Sequence, residues 1–494
     1  MASSAVSPGG SAMPPAAGAE AEAHASNHRQ TETAAPAKRA EAAPLAAIPP
    51  SEAFTVVVDP GSWSFKCGLA GDDAPRVVIP AATGSTHSVP AAVSAPAQKS
   101  SLRVGRAELA SYDEHAQIKD VVVRGRVVNW EGFEALLAYS EASLFEGGAG
   151  SGAGKRYLIS EGHEAEAADR QVMAELLFEK FDAGAVFVSK SAPLNLYACA
   201  RSSGVVLDIG ADLSVASYVT EGFLQKKAVL ASPLGGRLLC QTMLERLEKR
   251  GIQVHPRFTF TRKVTRDGKL KIDHVSAPSQ PSFAKFWKLD EVESMLHAVC
   301  RVRSVAAAAI GSAGSKTGSS AQVVALEGDH RGGEPAAAEG SAASPASVRE
   351  SDTYMLPDGT AVSSARSLGA EVAELLFDPH PLQRSDIGLG LPDLVLRAGQ
   401  GFPSADARRE LLANVVLCGG LTVAPGLAAR FAGELATKAR GIKSRVIVSG
   451  PNERRYNAWI GGSILGTLNG LSDVWVSRSE YLDQGSKALG RKCP

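Results

Sequence analysis

The chain has 494 residues, 44% of them hydrophobic, which is enough apolar material for two or more hydrophobic cores. Lysine plus arginine and aspartate plus glutamate each number 52, so the formal net charge is zero, which argues against direct, sequence-specific DNA binding. No apolar run reaches the roughly 20 residues that cross a bilayer, no secretory signal is recognisable, and six scattered cysteines indicate reduced thiols.

Three stretches are dominated by small and polar residues and show no hydrophobic period. Residues 1–52, rich in Ala, Pro, Ser and Glu, predict a disordered tail, because such a segment cannot bury enough surface to offset its ordering entropy. Residues 305–351 predict a low-complexity surface insertion, which costs little entropy to close inside a folded chain. The Gly/Ala/Ser stretch at 147–154 has the same character.

Strands and helices alternate between these stretches. Short apolar runs bounded by Gly, Pro or Asp predict buried strands, and apolar spacing of three to four residues predicts helices. The predicted elements are, in order, the strands Phe54–Asp59, Ser64–Ala70 and Val77–Ile79, a helix at Ala165–Phe181, a strand at Ala185–Val188, a helix at Asn195–Ala200, the strands Val205–Asp208 and Leu213–Val219, and a strand at Asn414–Leu417.

The strand–Asp–x–Gly pattern occurs twice, first at Asp59 and again at Asp208, each time followed by a hairpin strand. This recurrence predicts two similar α/β lobes around a nucleotide cleft. The predicted domain covers 53–494, with a first lobe at 53–200 plus 456–494 and a second lobe at 201–455.

Three glycine-marked turns that follow buried strands carry the candidate chemistry. Such turns expose backbone N–H groups that bind phosphate oxygens, an aspartate at each of two strand ends can hold a hydrated divalent cation, and a lysine offers a charge to the polyphosphate. The candidate residues are Asp59, Gly61, Ser62 and Lys66 in the first turn, Asp208 and Gly210 in the second, and Gly419 and Gly420 in the third, where a double glycine leaves room for an adenosine.

A single turn of this kind is most often a tight hairpin, but three in this order are typical of the superfamily of actins, sugar kinases and heat-shock ATPases. The flanking sequence resembles actin specifically. VVVDPGSWSFKCGLAGDDAPRVVIP is similar to the opening of an actin, ANVVLCGGLTVAPGLAARF to its adenosine loop, YMLPDGTAV to another landmark, and ERRYNAWIGGSILGTLNGLSDVWVSRSEYLDQG, with the final RKCP, to its C-terminus. The resemblance spans about 54–494 and implies the actin fold, with two ribonuclease-H-like lobes.

Within that family, the chain resembles the nuclear actin-related proteins of class four. Trp63 stands where actin has glycine, and Leu224–Val229, Ser232–Gly236, Leu247–Ile252 and Cys493-Pro494 also fit this class. The resemblance implies a structural subunit of chromatin-remodelling or histone acetyltransferase complexes. It further implies a location in the nucleus, with the cytoplasm as a second one. The implied partners are conventional actin, a helical segment of a Snf2-type ATPase or acetyltransferase scaffold, and histones or nucleosomes.

The same resemblance implies ATP as a ligand, with Mg²⁺ or Ca²⁺ held through water by Asp59 and Asp208. Arg455 stands for an actin lysine close to the base. Actin positions the attacking water with a glutamine and a histidine, and these positions fall on Ser191 and Val215. Neither side chain can orient or deprotonate water, so we expect binding without significant hydrolysis. A protein that binds no nucleotide is the alternative.

Two other functions compete with a chromatin subunit. A divergent cytoskeletal actin-like ATPase would hydrolyse ATP and polymerise. A shortened exposed loop in the first lobe and the insertion at 305–351 both oppose a repeating head-to-tail contact. A small-molecule kinase of the same superfamily would share the three turns without the actin-like flanks.

Overall fold

The computed structural model describes residues 54–86, 102–145, 154–268, 270–304, 322–325 and 352–493. They all lie within one compact unit, Ile48–Pro494. The predicted tail at 1–52, nearly all of the stretch at 147–154 and most of the stretch at 305–351 fall outside the described residues, so their disorder stays a prediction.

Six strands form the first sheet in the order β3-β2-β1-β8-β9-β20. Their bounds are β1 Thr55–Pro60, β2 Ser64–Leu69, β3 Val77–Pro80, β8 Arg156–Glu161, β9 Ala185–Lys190 and β20 Val476–Ser477. Strands β1, β2 and β3 form an antiparallel meander, while β8 and β9 run parallel to β1. Because β1 lies in the middle of this mixed sheet, its near-continuous apolar run is buried on both faces of the sheet.

The second sheet has six strands in the order β12-β11-β10-β18-β19-β15. Their bounds are β10 Gly204–Ile209, β11 Ser214–Thr220, β12 Phe223–Ser232, β15 Gln322–Ala325, β18 Val415–Cys418 and β19 Arg445–Val448. An antiparallel meander of β10, β11 and β12 again continues into the parallel strands β18 and β19. The two sheets thus repeat one arrangement, which confirms the predicted pair of similar α/β lobes.

Strand β15 corrects one expectation. Its four residues lie inside the range 305–351 that composition assigned to a low-complexity insertion, yet they pair in parallel with β19 at the edge of the second sheet. Val323 and Val324 are β-branched residues that suit a strand, and the open edge of β19 supplies the hydrogen-bonding partners.

The remaining strands form four short hairpins. They are β4 Ala82–Thr86 with β5 Ala116–Asp120, β6 Val122–Val123 with β7 Arg126–Val127, β13 Phe260–Val264 with β14 Leu270–His274, and β16 Thr353–Met355 with β17 Ala361–Ser363. The last hairpin is formed by the actin-like segment YMLPDGTAV.

Thirteen α-helices surround the sheets in the described part of the chain. They are α1 Arg106–Ala110, α2 Trp130–Leu144, α3 Ala167–Glu175, α4 Ser191–Tyr197, α5 Gly236–Lys249, α6 Pro281–Val299, α7 Ala365–Glu374, α8 Leu391–Ala398, α9 Ala405–Leu412, α10 Leu427–Lys438, α11 Pro451–Thr467, α12 Arg478–Gln484 and α13 Lys487–Lys492. The predicted helix at 165–181 ends in a π-helical turn, Leu176–Lys180. None of the described helices combines the length and the apolar character that a bilayer crossing requires.

Local sequence explains several helix starts. Asn129 caps α2 by accepting a hydrogen bond from the N–H of Gly132, and Ser477 and Glu480 form a capping box at α12. Proline stands in the first turn of α6, α8 and α11, where its missing N–H has no helical partner to lose.

Helices α4 and α11 join the two lobes. Trp459 of α11 is fully buried, and its indole N–H donates to the carbonyl of Val57 in β1 at 3.0 Å. Gly461 brings α11 against α4, since a Cβ there would lie 1.8 Å from the carbonyl oxygen of Leu194. Each sheet also packs its own hydrophobic cluster. The cleft therefore lies between two separately stabilised bodies that share a rigid floor.

Candidate nucleotide cleft

A cavity of about 460 Å³ lies between the lobes at the ends of the first strands of the two sheets. It brings together every position that the sequence singled out. These are Asp59, Gly61, Ser62, Lys66, Ser191, Asp208, Gly210, Val215, Gly419, Gly420 and Arg455.

The first loop connects β1 to β2. The hairpin register places Asp59 opposite Lys66, and the Lys66 Nζ donates to the Asp59 carboxylate at 2.8 Å. The N–H of Gly61 is used within the turn, by the carbonyl of Ser64 at 3.1 Å. In contrast, the N–H groups of Ser62 and Trp63 donate to no other described residue, so they are free for an anion.

The second loop connects β10 to β11 and has a similar construction. Gly210 closes the turn by donating to the carbonyl of Leu213 at 2.9 Å. The N–H groups of Ala211 and Asp212 have no acceptor among the described residues. Two pairs of unsatisfied donors therefore face the cleft from the two lobes, as a polyphosphate site requires.

Two carboxylates lie behind these loops. Burial raises the pKa of Asp208 to about 6, the negative charge of Asp59 adds to the shift, and Lys66 opposes it. With one lysine between two aspartates the site keeps an excess of negative charge. No cluster of three or more His, Cys, Asp or Glu side chains suited to a metal occurs in the described chain. The pair therefore fits a cation that keeps most of its water, as Mg²⁺ does.

The third turn follows β18, which pairs in parallel with β10 and brings Cys418 beside Asp208. Gly419 has φ of 95°, and a Cβ there would lie 2.5 Å from the Asp208 carboxylate and 2.5 Å from the carbonyl oxygen of Ile209. The turn enters a 3-10 helix, Gly420–Val423. Only glycine allows this close approach of the turn to the second loop.

We expect Gly419→Ala to abolish nucleotide binding and to destabilise the protein by about 2 kcal/mol, because alanine is strained at positive φ and would displace the Asp208 loop. Titration with ATP and urea unfolding measure the two effects. Gly441→Ala is a matched control, since Gly441 also has positive φ, at 76°, but an open environment. The proposed role of Gly419 would be contradicted if both variants lost the same stability and Gly419→Ala still bound ATP.

Similarity to known proteins identifies the family of this chain. The model of the actin family, described as Actin, matches residues 51–494. The chain belongs to the actin family. It is similar to proteins named Actin-related protein 4, with 28% identity over 484 residues to those of Oryza sativa subsp. indica and subsp. japonica, and 27% over 479 residues to that of Arabidopsis thaliana. Each alignment covers 90% of this chain and 99% of the relative.

Actin-family proteins generally bind a nucleotide and a divalent cation. Ser191 and Val215, the positions for which the resemblance to actin predicts water-orienting side chains, lie on the wall of this cleft. Ser191 begins α4 at the end of β9, and Val215 pairs with Asp208 across β10 and β11. The serine hydroxyl is short and the valine side chain is apolar, so neither provides a base.

Trp63, which follows Ser62 in the first loop, lies against the second lobe. Its ring contacts the second lobe, stacking on Phe286 with centroids 6.4 Å apart and lying 5.5 Å from the Arg237 guanidinium. Glu293 of α6 lies beside the Trp63 side chain, and burial raises the pKa of Glu293 to about 7. Trp63 therefore lines the cleft as a contact between the lobes.

Arg237, at the start of α5, was not predicted from the sequence. Its Nε donates to Asp212 at 2.7 Å, its Nη2 donates to the carbonyl of Ser62 at 3.0 Å, and its Nη1 lies 3.4 Å from Asp120. Asp212 also accepts from the N–H of Arg124 at 2.8 Å. We call Trp63, Arg237, Asp212 and Asp120 the interlobe bridge, because they connect the two phosphate loops directly.

A second contact joins the two lobes beside the cleft. Arg106 of the first lobe forms a bidentate ion pair with Asp290 of α6, at 2.7 and 2.6 Å. The hydroxyl of Tyr112 donates to the carbonyl of Pro278 at 2.6 Å. Beneath these lies a small hydrophobic cluster shared by the lobes, formed by Ala82, Leu109, Ala116, Ile118, Phe283 and Trp287.

We expect Arg237→Ala to release a bound nucleotide about tenfold faster, because the bridge loses two charged hydrogen bonds and a cation–π contact. Displacement of a fluorescent ATP analogue by unlabelled ATP measures the rate. Arg246 lies on the same helix as Arg237 and forms an ion pair with Glu371 of α7. Arg246→Ala is therefore the control and should leave the rate unchanged. An unchanged rate in Arg237→Ala would show that the bridge does not limit opening.

Proposed function

We propose that this protein is a non-polymerising, nuclear actin-related subunit of chromatin-remodelling or histone acetyltransferase complexes, which binds ATP with a divalent cation and does not hydrolyse it significantly. The observation that carries the proposal is its likeness to proteins named Actin-related protein 4 over 90% of the chain. Its proposed partners are conventional actin, a helical segment of a Snf2-type ATPase or an acetyltransferase scaffold, and histones.

The cleft supports nucleotide binding without turnover. Both phosphate loops keep unpaired N–H groups, Lys66 is at the first loop, and Asp59 and Asp208 lie together behind them. The two water-orienting positions carry Ser191 and Val215. In this proposal ATP acts as a structural ligand that holds the two lobes together.

An exposed apolar surface supports the proposed partner helix. Ile464 on α11 and Leu468 directly after it are 42% and 51% exposed, and Phe223 at the start of β12 is 61% exposed. Tyr197 ends α4, which packs along α11, and its hydroxyl lies next to Gly222. We propose that these four side chains receive the hydrophobic stripe of an amphipathic helix.

Affinity purification from nuclear extract tests the partners. The proposal expects recovery of actin together with a remodelling ATPase or an acetyltransferase scaffold, and their loss when Ile464→Asp and Leu468→Asp are combined. Val264→Asp is the matched control, because Val264 is 74% exposed on the hairpin of β13 and β14. Recovery of purely cytoskeletal partners would overturn the chromatin assignment.

The competing function is a divergent cytoskeletal actin-like ATPase. Sedimentation of the purified chain under polymerising salt separates the two functions, since the proposed subunit stays in the supernatant. A phosphate-release assay on the same sample is independent of that result. Filaments together with ATP turnover would favour the cytoskeletal alternative.

A further inference from the structure

The hairpin of β13 and β14 is separate from both large sheets. It forms a two-stranded sheet of its own, and two strands without a third are only marginally stable in water. Its base is anchored, because Phe260 is buried and the ring centroid of Phe258 lies 5.0 Å from that of Phe283 in α6. The next four residues of β13, Thr261–Val264, are all exposed. The hairpin is therefore fixed at one end and open to solvent along β13.

The outer edge of β13 has unpaired backbone groups. The N–H of Val275 donates to the carbonyl of Thr259 at 2.8 Å, which sets the alternation of hydrogen bonds along the antiparallel ladder. By that alternation, Arg262 and Val264 direct their N–H and C=O groups away from β14. Neither backbone unit bonds to another residue that the structure describes. An open strand edge of this kind is a template for one more strand.

The two faces of the hairpin differ in character. The register puts Arg262, Val264 and Ile272 on one face, where Val264 is 74% exposed. On the other face, Lys263 lies directly opposite Lys271. Like charges at opposed positions repel each other, so carboxylates beside them would stabilise this face. A strand that extends the hairpin should therefore be apolar on one face and acidic on the other.

Positive charge is concentrated on this hairpin, although the chain as a whole is neutral. Residues 261–274 contain five lysines or arginines and two aspartates. Lys271 pairs with Asp273 at 3.1 Å. The other cations of the hairpin whose side chains the structure describes form no ion pair with a described residue, and they are Arg262, Lys263 and Arg266. The charge opposes pairing with a second copy of the same hairpin and favours an acidic segment.

Strand β12 has a similar charge but a covered edge. It is the last strand of the second sheet and carries two exposed lysines, Lys226 and Lys227. Gly401 packs on the carbonyl of Lys227, since a Cβ at Gly401 would lie only 1.7 Å from that oxygen. The two lysines of β12 are therefore a control for charge without an open edge.

We propose that the outer edge of β13 binds an extended segment of a partner protein in which acidic and apolar residues alternate. The segment adds a third strand to the hairpin and pairs with the backbone of Arg262 and Val264. Its acidic side chains lie on the face of Lys263 and Lys271, and its apolar side chains extend the face of Val264. None of these residues lines the nucleotide cleft, so the interaction does not depend on nucleotide binding.

Fluorescence anisotropy tests the proposal, with the full-length protein and a short labelled peptide in which glutamate and valine alternate. Arg262→Glu combined with Lys263→Glu should weaken binding at least about tenfold, because attraction becomes repulsion. Lys226→Glu combined with Lys227→Glu makes the same change in net charge on β12 and should leave binding unchanged. Equal weakening in both double variants would show attraction to net charge alone and would overturn the proposal.

Val264→Pro tests the added strand itself. Proline removes an outward N–H and keeps both the charge and the bonds to β14, so the peptide should bind about fivefold more weakly. A thermal scan should show that this variant unfolds at the temperature of the natural protein. Undiminished binding by Val264→Pro would overturn the proposal, as would equal binding of a peptide whose glutamates and valines stand in separate blocks.

Two further measurements separate this surface from other binding. Duplex DNA that displaces the peptide from the natural protein and from Val264→Pro equally well would identify a site for polyanions, and the strand would be wrong. Val264→Asp should lose the peptide and still recover actin from nuclear extract, because the hairpin and α11 are different elements. Failure of the partner helix would therefore leave this inference intact, and the reverse also holds.

Discussion

Asp208→Asn is expected to lower the affinity for ATP in the presence of Mg²⁺ at least tenfold and, at the same time, to stabilise the ligand-free protein above pH 6. The first effect follows because the cation loses one of the two carboxylates that face the phosphate loops. The second follows because burial disfavours the ionised form of Asp208, whose pKa is about 6. Asparagine keeps the shape and removes the charge.

The sign of the pH effect is fixed by that raised pKa. Between its ordinary pKa of 3.8 and the raised pKa of about 6, folded Asp208 holds a proton that the unfolded chain has released. Its contribution to stability is therefore present at low pH and lost as the pH rises through 6, by up to about 3 kcal/mol. Urea unfolding at pH 5 and pH 8 should show that Asp208→Asn reduces the loss seen in the natural protein.

An exposed carboxylate provides the comparison for this experiment. Asp406 is exposed on α9 and pairs only with Arg409, so Asp406→Asn should change neither ATP binding nor the pH dependence appreciably. If Asp208→Asn still binds ATP with Mg²⁺ as tightly as the natural protein, the assignment of Asp208 to the cation is wrong. If both variants show the same pH dependence as the natural protein, the carboxylate is not desolvated as the fold implies.

The local sequence was sufficient to predict the two phosphate loops. The runs at Thr55–Pro60 and Gly204–Ile209 are short, apolar and followed by glycine turns, so each strand and its turn are determined within about ten residues. Repetition of the pattern then predicts two lobes. Helix α4 was placed at 195–200 and in fact begins at Ser191, because Pro193 lies in the first helical turn and needs no N–H partner there.

The contacts across the cleft could not be predicted in this way. Arg237 follows Ser62 by 175 residues and sits on another lobe, so no local pattern links them. Trp63 could be recognised as unusual, but its partners Phe286 and Glu293 are fixed only by the docking of α6.

Restoring the missing side chains should produce an ATPase. We expect the double variant Ser191→Gln and Val215→His to release phosphate from ATP at least 100-fold faster than the natural protein, since a general base and an orienting group each contribute roughly 10²–10⁴-fold. Both positions line the cleft beside Asp208, and Val215 is its direct neighbour across the strands. A coupled phosphate-release assay under single-turnover conditions measures the rate.

The single variants and the cation site provide the controls for this gain. Each single substitution should give a smaller increase, and adding Asp208→Asn to the double variant should remove the gain, because the phosphates then lose their cation. A double variant that binds ATP normally without faster phosphate release would show that these two side chains do not limit hydrolysis.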